Sequence, residues 1–464
     1  MKKFTPFDTI AAVSTPPGEG GIGIVRLSGD RAFKIAGSVF SPHRNNRPAK
    51  NKTFFMRLGY IMDNGKIIDE VLVSYMSAPH TYTREDVVEI NCHGGAIAVN
   101  EVLRLVLRTG ARLAEPGEFT KRAFINGRID LTQAEAVLDI VQSRTSRALD
   151  TAVCQLRGNL SGRIKTLIEK LKQRLVLLEA NIDFAEEEDV SPIESRDFHE
   201  HIENVKEELV ELTATYDTGK IIREGVLTVL AGKPNVGKSS ILNCFVQFDR
   251  AIVTPIPGTT RDIIEEELNI NGIPFILADT AGIADSDNII EQEGVKRSLS
   301  YMEQAQLVLL VLDGSSPFDD RDVAIIRKAL PFTSIPIVNK IDLPMGMDVK
   351  TLLRETEMTE EPLYLSAKTG AGLAELERRM SELVAGGRSG GDRSLMVTNA
   401  RHFSLLKKAC EELEHASKSL KEEGEPELIA YDIRSAMDFL GEITGEVSNS
   451  EILDSIFNSF CIGK

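Results

Sequence analysis

GVLTVLAGKPNVGKSSILNCF, residues 225–245, reads as an apolar strand, a glycine-punctuated loop and the opening turns of a helix. Gly232, Gly237, Lys238 and Ser239 stand at the spacing G-x-x-x-x-G-K-[ST], in the strand–loop–helix context the pattern requires. Backbone N–H groups of such a loop wrap a β-phosphate at a helix N-terminus, where the helix dipole favours an anion. Lys238 then reaches the β- and γ-phosphates, and the Ser239 hydroxyl ligates Mg²⁺. Asn235, Val236 and Ser240 complete the loop's nucleotide-contacting set, and Asn235 places an extra amide oxygen beside the β- and γ-phosphates.

Three further stretches narrow the ligand. PFILADTAG (274–282) is an apolar strand that delivers Asp279 to the magnesium, with Thr280 beside it and Gly282 free to turn toward the γ-phosphate. IPIVNKID (335–342) is a second strand, ending in Asn339, Lys340 and Asp342. The Asp342 carboxylate can accept hydrogen bonds from guanine N1 and N2, and a site built for those donors rejects analogues lacking them by about 10⁴–10⁵. Ser366, Ala367 and Lys368, after the strand PLYL (362–365), are expected against guanine O6. In this order and at these strand ends, the motifs point to GTP.

Hydrolysis needs an oriented water. The position after Gly282, where many small GTPases carry glutamine, is Ile283 here, which cannot orient it. The segment IADSDNIIEQEG (283–294) supplies Asp285, Asp287, Glu291 and Glu293, and spacing does not choose among them. In GTTRD (258–262), Thr260 is the expected switch threonine over Mg²⁺ and γ-phosphate. No arginine finger is evident, so a monovalent cation is a candidate for the missing positive charge, which in arginine form is worth about 10³–10⁵ in rate.

Outward from this core the texture changes twice. Residues 1–120 carry short strand-like runs such as GIGIVRLSG (21–29) and DEVLVSYM (69–76), the pattern of an α+β domain. Stretches 123–153, 164–184 and 198–215 space apolar residues by three and four, as amphipathic helices do. The Gly/Ser-rich AGGRSGGDRS (385–394) reads as a linker, after which helical texture resumes at 402–420 and 427–444. The expected fold is multidomain α/β: an α+β N-terminal domain (1–120), an all-α helical domain in two parts (121–215 and 381–464), and an inserted P-loop (Ras-like) α/β G domain (216–380).

Bulk properties exclude some classes. The 464 residues carry a formal net charge of −16, against a nucleic-acid binder that works by bulk charge. Residues 1–120 are an exception, with 15 Lys+Arg against 12 Asp+Glu. Arg104, Arg108, Arg112, Lys121, Arg122, Arg144 and Arg147 are candidates for a nucleic-acid patch if they share a face. No apolar run approaches the roughly 18–20 residues of a membrane span, and the N-terminus lacks the apolar core of a signal peptide. Five scattered cysteines, without metal spacing, indicate free thiols and a cytoplasmic setting.

With TPPGEGGIGIVRLSG (15–29), EDVVEINCHGG (85–95), EPGEFTKRAFINGRIDLTQAEAV (115–137) and the terminal CIGK (461–464), the whole chain resembles the tRNA-modifying GTPases of the MnmE (TrmE) family. The resemblance implies modification of the tRNA wobble uridine, U34, at C5 with an aminomethyl or carboxymethylaminomethyl group. It further implies a one-carbon donor from tetrahydrofolate (the 5,10-methylene or formyl form), and a homodimer assembled with the FAD-containing MnmG (GidA) protein as a heterotetramer. GTP hydrolysis in that family depends on potassium and accompanies G-domain dimerisation. Carried onto this sequence, the potassium ligands are Asn235, Thr254, Ile256 and Thr259, and the water-orienting acid is Glu291. Arg26, Glu89, Arg128 and Lys464 then form a folate pocket in an N-terminal folate-binding and dimerisation domain. Relatives often carry lysine where this chain has Arg128, and arginine where it has Ala284.

By residue chemistry, Arg26 or Arg128 suits a folate carboxylate and Glu89 a pterin donor, although surface ion pairing is the default for each. Cys461, beside Lys464 in a glycine-containing tail, is a candidate nucleophile or acid. Two other readings compete. A ribosome-assembly GTPase binding rRNA shares the G-domain motifs but ordinarily adds a basic module. A membrane-remodelling GTPase needs an amphipathic basic face, which is not found.

Overall fold

A computed structural model describes residues 8–43, 53–183, 195–248, 265–279, 302–385, 395–447 and 450–464. The chain divides into two compact units, residues 1–138, 155–191 and 430–464 in one and residues 139–154 and 192–429 in the other. Among the described helices and sheets, the mixed architecture expected from the sequence is present.

The first unit is built on strands β1 (Ile10–Val13), β2 (Gly20–Ser28), β3 (Phe40–Pro42), β4 (Phe55–Asp63), β5 (Lys66–Met76), β6 (Val87–Gly94) and β7 (Arg112–Leu113), in the order β3-β4-β5-β6-β2-β1-β7. Alternation along each strand decides its faces. Val25 and Leu27 of β2, Val71 and Val73 of β5, and Val88, Ile90 and Cys92 of β6 are buried together with helices Ala32–Val39 and Ala96–Arg108. The intervening residues point the other way. On that outward face, register sets Arg26 directly opposite Glu89, and Leu58 opposite Leu72. Helices Glu118–Ile125 and Ser450–Asn458 pack around Phe457 and Phe460, next to the chain's last residues.

The second unit holds β8 (Val226–Ala231), β9 (Glu265–Ile270), β10 (Ile273–Asp279), β11 (Leu307–Asp313), β12 (Ser334–Asn339) and β13 (Leu363–Tyr364), in the order β13-β12-β11-β8-β10-β9. All neighbouring pairs are parallel except β9 with β10. β11, LVLLVLD, shows why a near-continuous apolar run is needed. Leu307, Leu309 and Val311 face one core while Val308, Leu310 and Leu312 face another. Each such fully buried side chain contributes roughly 1.5–3 kcal/mol, so a parallel sheet covered on both faces tolerates no polar alternation.

The stretch 123–153 is more broken than the sequence reading of long helices. It forms the end of Glu118–Ile125, then Leu131–Gln142 and Ser146–Leu156. Gly127 at φ +68° ends the first of these in a left-handed turn that side-chain-bearing residues avoid.

Candidate functional site

The phosphate loop leaves β8 at Ala231 and enters helix Lys238–Phe248. Gly232 needs its missing side chain, because a Cβ there would overlap the Val311 carbonyl of the neighbouring strand. Asn235 at φ +65° and Gly237 at φ +102° turn the backbone through left-handed conformations, as in N–H cradles for anions. Lys238 is buried, and its ammonium donates to the Gly232 and Lys233 carbonyls at 2.9 and 2.8 Å. Asn235, Ser239 and Ser240 are exposed, while Val236 is buried.

Asn339 joins the loop to the segment at residues 366–368. Its buried Nδ2 donates to the Val236 carbonyl at 2.9 Å, and its Oδ1 accepts from the Ala367 N–H at 3.0 Å. Replacing Asn339 with alanine leaves both partners unpaired, at a cost of about 1–3 kcal/mol each. Denaturant unfolding should show that loss, together with a GTP affinity weakened about tenfold or more.

Asp342 and Ser366, both expected at the guanine base, are in direct contact. The Ser366 hydroxyl donates to Asp342 Oδ1 at 2.6 Å. That bond, followed by Lys368 and Lys340, holds the Asp342 carboxyl below its usual range, so it is an acceptor at neutral pH. Lys340, at φ +66°, turns its ammonium onto Asp313 Oδ2 at 2.6 Å.

Asp313 and Lys233 are the residues the sequence reading missed. Burial opposes the charge on Asp313, but Lys340 and Ser315 outweigh it and hold the carboxyl ionised. Lys233 ties the phosphate loop to Asp322 at 2.6 Å and Asp319 at 3.1 Å. Those two aspartates form the capping box of helix Asp320–Ala329. An aspartate closing the apolar run of β11 is the signal that could have located Asp313. Strand β10 ends at Asp279 beside Leu230. The Asp279 side chain, and Thr254, Ile256, Thr259, Thr260, Thr280, Gly282, Ile283, Ala284 and Glu291, lie outside the described residues.

A second cluster lies in the first unit. Arg26 donates to Glu89 Oε1 at 2.8 Å across β2 and β6, so Glu89 already has a cationic partner. The Arg26 guanidinium is 5.7 Å from the Tyr82 ring centroid and 5.6 Å from that of Phe119, and Arg128 is 4.5 Å from Tyr82. Such distances are attractive for cations over aromatic faces. The buried Arg128 Nε has no hydrogen-bond acceptor among the described residues.

The tail reaches this cluster through its backbone. Ile462 bridges Pro116, Gly117 N–H donates to the Cys461 carbonyl at 3.4 Å, and Phe119 N–H donates to the Lys464 carbonyl at 3.2 Å. The Ser14 hydroxyl donates to the Gly463 carbonyl at 3.1 Å, and Gly463, at φ +99°, leaves no room for a Cβ against Val13. Burial, then the nearby Arg26 charge, lowers the pKa of Lys464 below the ordinary lysine value. Cys461 is exposed. Three cationic side chains, two aromatic rings and a thiol are thus gathered by segments more than 300 residues apart in the chain.

The basic residues between 104 and 147 do not act as one bare patch. Arg104, Arg108, Lys121 and Arg144 pair with Glu101, Asp63, Asp454 and Glu267. Arg112 and Arg122 are committed to internal ion pairs.

A phosphate-cradling loop, an N-K-x-D strand end and a serine loop at the carboxyl ends of parallel strands define a P-loop GTPase. Two family models match the chain: the GTP-binding protein TrmE N-terminus over residues 9–128, and the MnmE helical domain over residues 131–461. A tRNA modification GTPase MnmE from Natranaerobius thermophilus is 47% identical over 460 residues, covering 98% of this chain and 99% of the relative. That of Moorella thermoacetica is 48% identical over 465 residues, covering 98% and 99%. That of Geobacillus thermodenitrificans is 45% identical over 462 residues, covering 99% and 100%. The chain belongs to the tRNA modification GTPase MnmE family.

Proposed function

We propose that this GTPase modifies the wobble uridine, U34, of certain tRNAs at C5 with an aminomethyl-type group, together with a FAD-containing MnmG partner. The one-carbon unit comes from a tetrahydrofolate derivative bound at Arg26, Glu89, Arg128 and Lys464. The observation that carries this reading is the tail clipped beside Arg26. It sets an exposed thiol next to cationic and aromatic groups suited to a ligand with a flat ring and carboxylates. The orphaned Arg128 Nε fits such a ligand, as a donor still lacking an acceptor. Glu89 would accept from the pterin while keeping Arg26 as its neighbour across the strands.

In the second unit, Asn235, Val236, Gly237, Lys238, Ser239 and Ser240 would hold the GTP phosphates, with Asp342, Ser366, Ala367 and Lys368 at the base. Ser239 and Thr260 would ligate Mg²⁺. The exposed Asn235 would share a potassium ion with Thr254, Ile256 and Thr259, and Glu291 would orient water. Residues 1–120 would form the folate and dimerisation domain, 216–380 the G domain, and 121–215 with 381–464 the helical domain of a cytoplasmic enzyme. Exposed Ile22, Leu58 and Leu72 support a homodimer through the outward sheet face, since large exposed apolar patches mark interaction sites. No described helix is long and apolar enough to cross a membrane.

The test is twofold. Cells lacking the chain should lose the C5 group from U34, by mass spectrometry of tRNA, and regain it when the chain is restored. Purified protein should turn over GTP at least about tenfold faster in K⁺ than in Na⁺, and Asn235→Lys should flatten that ratio. Unaltered U34 would remove the tRNA assignment, and equal rates in the two salts would remove the cation.

A further inference from the structure

Behind the Arg26 cluster lies a buried ionic group that the proposed chemistry does not use. Arg122 and Glu118 are both about 2% exposed, four residues apart on helix Glu118–Ile125. Arg122 Nη2 donates to Glu118 Oε1 at 2.9 Å and to Asp8 Oδ1 at 2.6 Å, and Nη1 to Glu85 Oε2 at 3.1 Å. Glu118 also accepts from Arg112 Nη2 at 2.6 Å and Nη1 at 3.0 Å, and from the Glu115 N–H at 2.8 Å. Its carboxylate is therefore satisfied from three directions.

What this group holds is specific. Glu118 sits between Gly117 and Phe119, whose N–H groups donate to the Cys461 and Lys464 carbonyls. Gly117 is left-handed at φ +65°, and a Cβ on it would overlap the Phe457 carbonyl. The tail's dock is thus one turn of backbone, and Glu118 is the pin through its middle. Arg122 extends the same hold to Glu85, in the turn that carries Tyr82. The Tyr82 hydroxyl in turn lies 2.9 Å from the Thr120 hydroxyl of the helix. Phe119 and Tyr82 are the rings under Arg26.

Stability alone is a poor explanation for so much buried charge, since well-packed apolar residues often do as well or better. Directional bonds from a planar guanidinium fix orientation where apolar packing would not. We propose that Glu118 and Arg122 are positioning residues that set the docked geometry of the Cys461–Lys464 tail, without touching ligand themselves. Only the activity arm of the test rests on the tail's proposed part in tRNA modification.

Full-length chain carrying Cys154→Ser and Cys410→Ser leaves Cys461 as the thiol open to a water-soluble disulfide reagent, because Cys92 and Cys244 are buried. In that background a nitroxide attached through a disulfide to the exposed Cys461 should show a mobile, undocked population about tenfold larger in Glu118→Gln and Arg122→Met than in the parent, the factor expected when the tail loses about one hydrogen bond of docking energy. Arg122→Lys should fall between these variants and the parent, since one ammonium cannot span three carboxylates. GTP turnover should stay within about twofold, since the phosphate loop belongs to the other unit. The kcat of tRNA modification should fall with little change in the KM for GTP. Parental nitroxide mobility in folded Glu118→Gln and Arg122→Met overturns the proposal. If Arg122→Met does not unfold cooperatively, Glu118→Gln and Arg122→Lys decide it by the same mobility. Greater mobility with undiminished modification upholds the positioning role and removes the tail's chemical role instead.

Discussion

Lys238→Met should lower GTP turnover about 10³-fold while the chain still folds, measured as phosphate release under saturating GTP. Two effects combine. The ammonium that would face the β- and γ-phosphates is lost, and removal of one such preorganised donor costs about 10²–10³ in rate. The Gly232 and Lys233 carbonyls also lose the bonds that curl the loop, at 2.9 and 2.8 Å. Methionine has nearly the same length and fills the same buried volume, so the second unit's core should not collapse. Turnover within about tenfold of the parent would mean that this loop does not carry the phosphates.

Asp342→Asn should weaken GTP binding by about 10²–10⁴ and improve binding of xanthosine triphosphate, read by competition against a fluorescent nucleotide. Each hydrogen bond to the charged carboxylate is worth about 1.5–3 kcal/mol. Guanine offers two donors, N1–H and the N2 amino group, and the carboxylate accepts both. An asparagine amide instead points one donor at that edge, which repels the amino group and suits the C2 carbonyl of xanthine. Ser366 can still donate to the remaining oxygen at this position, so the loop around residues 366–368 should keep its place. Unchanged preference between the two nucleotides would place guanine recognition elsewhere.

How far each of these sites was legible depends on the distance, along the chain, between the residues that make it. The phosphate loop was readable because strand, glycine turn, lysine and helix are contiguous, and its backbone geometry depends on local φ values that only certain residues accept. The strand ends bearing Asn339 and Asp342 were readable because apolar runs announce buried parallel strands. Neither the Asn339 tie to Val236 nor the Lys340–Asp313 pair was readable. Both depend on which strands lie side by side, and β11, β8 and β12 are adjacent only through crossover connections.

The basic residues between 104 and 147 show the same limit from the other side. As a string they resemble a polyanion-binding patch, yet Arg112 and Arg122 turn inward to Asp8, Glu85 and Glu118. Charge in a sequence has a sign but no direction. Long-range folding supplies the direction.

The chain's own letters determined the class of nucleotide, the alternation of strand and helix around it, and the family whose motifs run from residue 15 to residue 464. Local stereochemistry and hydrophobic periodicity suffice for those. Only the tertiary structure decided that Cys461 and Lys464 lie beside Arg26, Tyr82 and Phe119, and that Glu118 pins the backbone they dock on. Those contacts join residues separated by more than 300 positions. They form because the first turn of helix Glu118–Ile125 presents N–H groups that have no partner within the helix, and the tail's carbonyls accept from them.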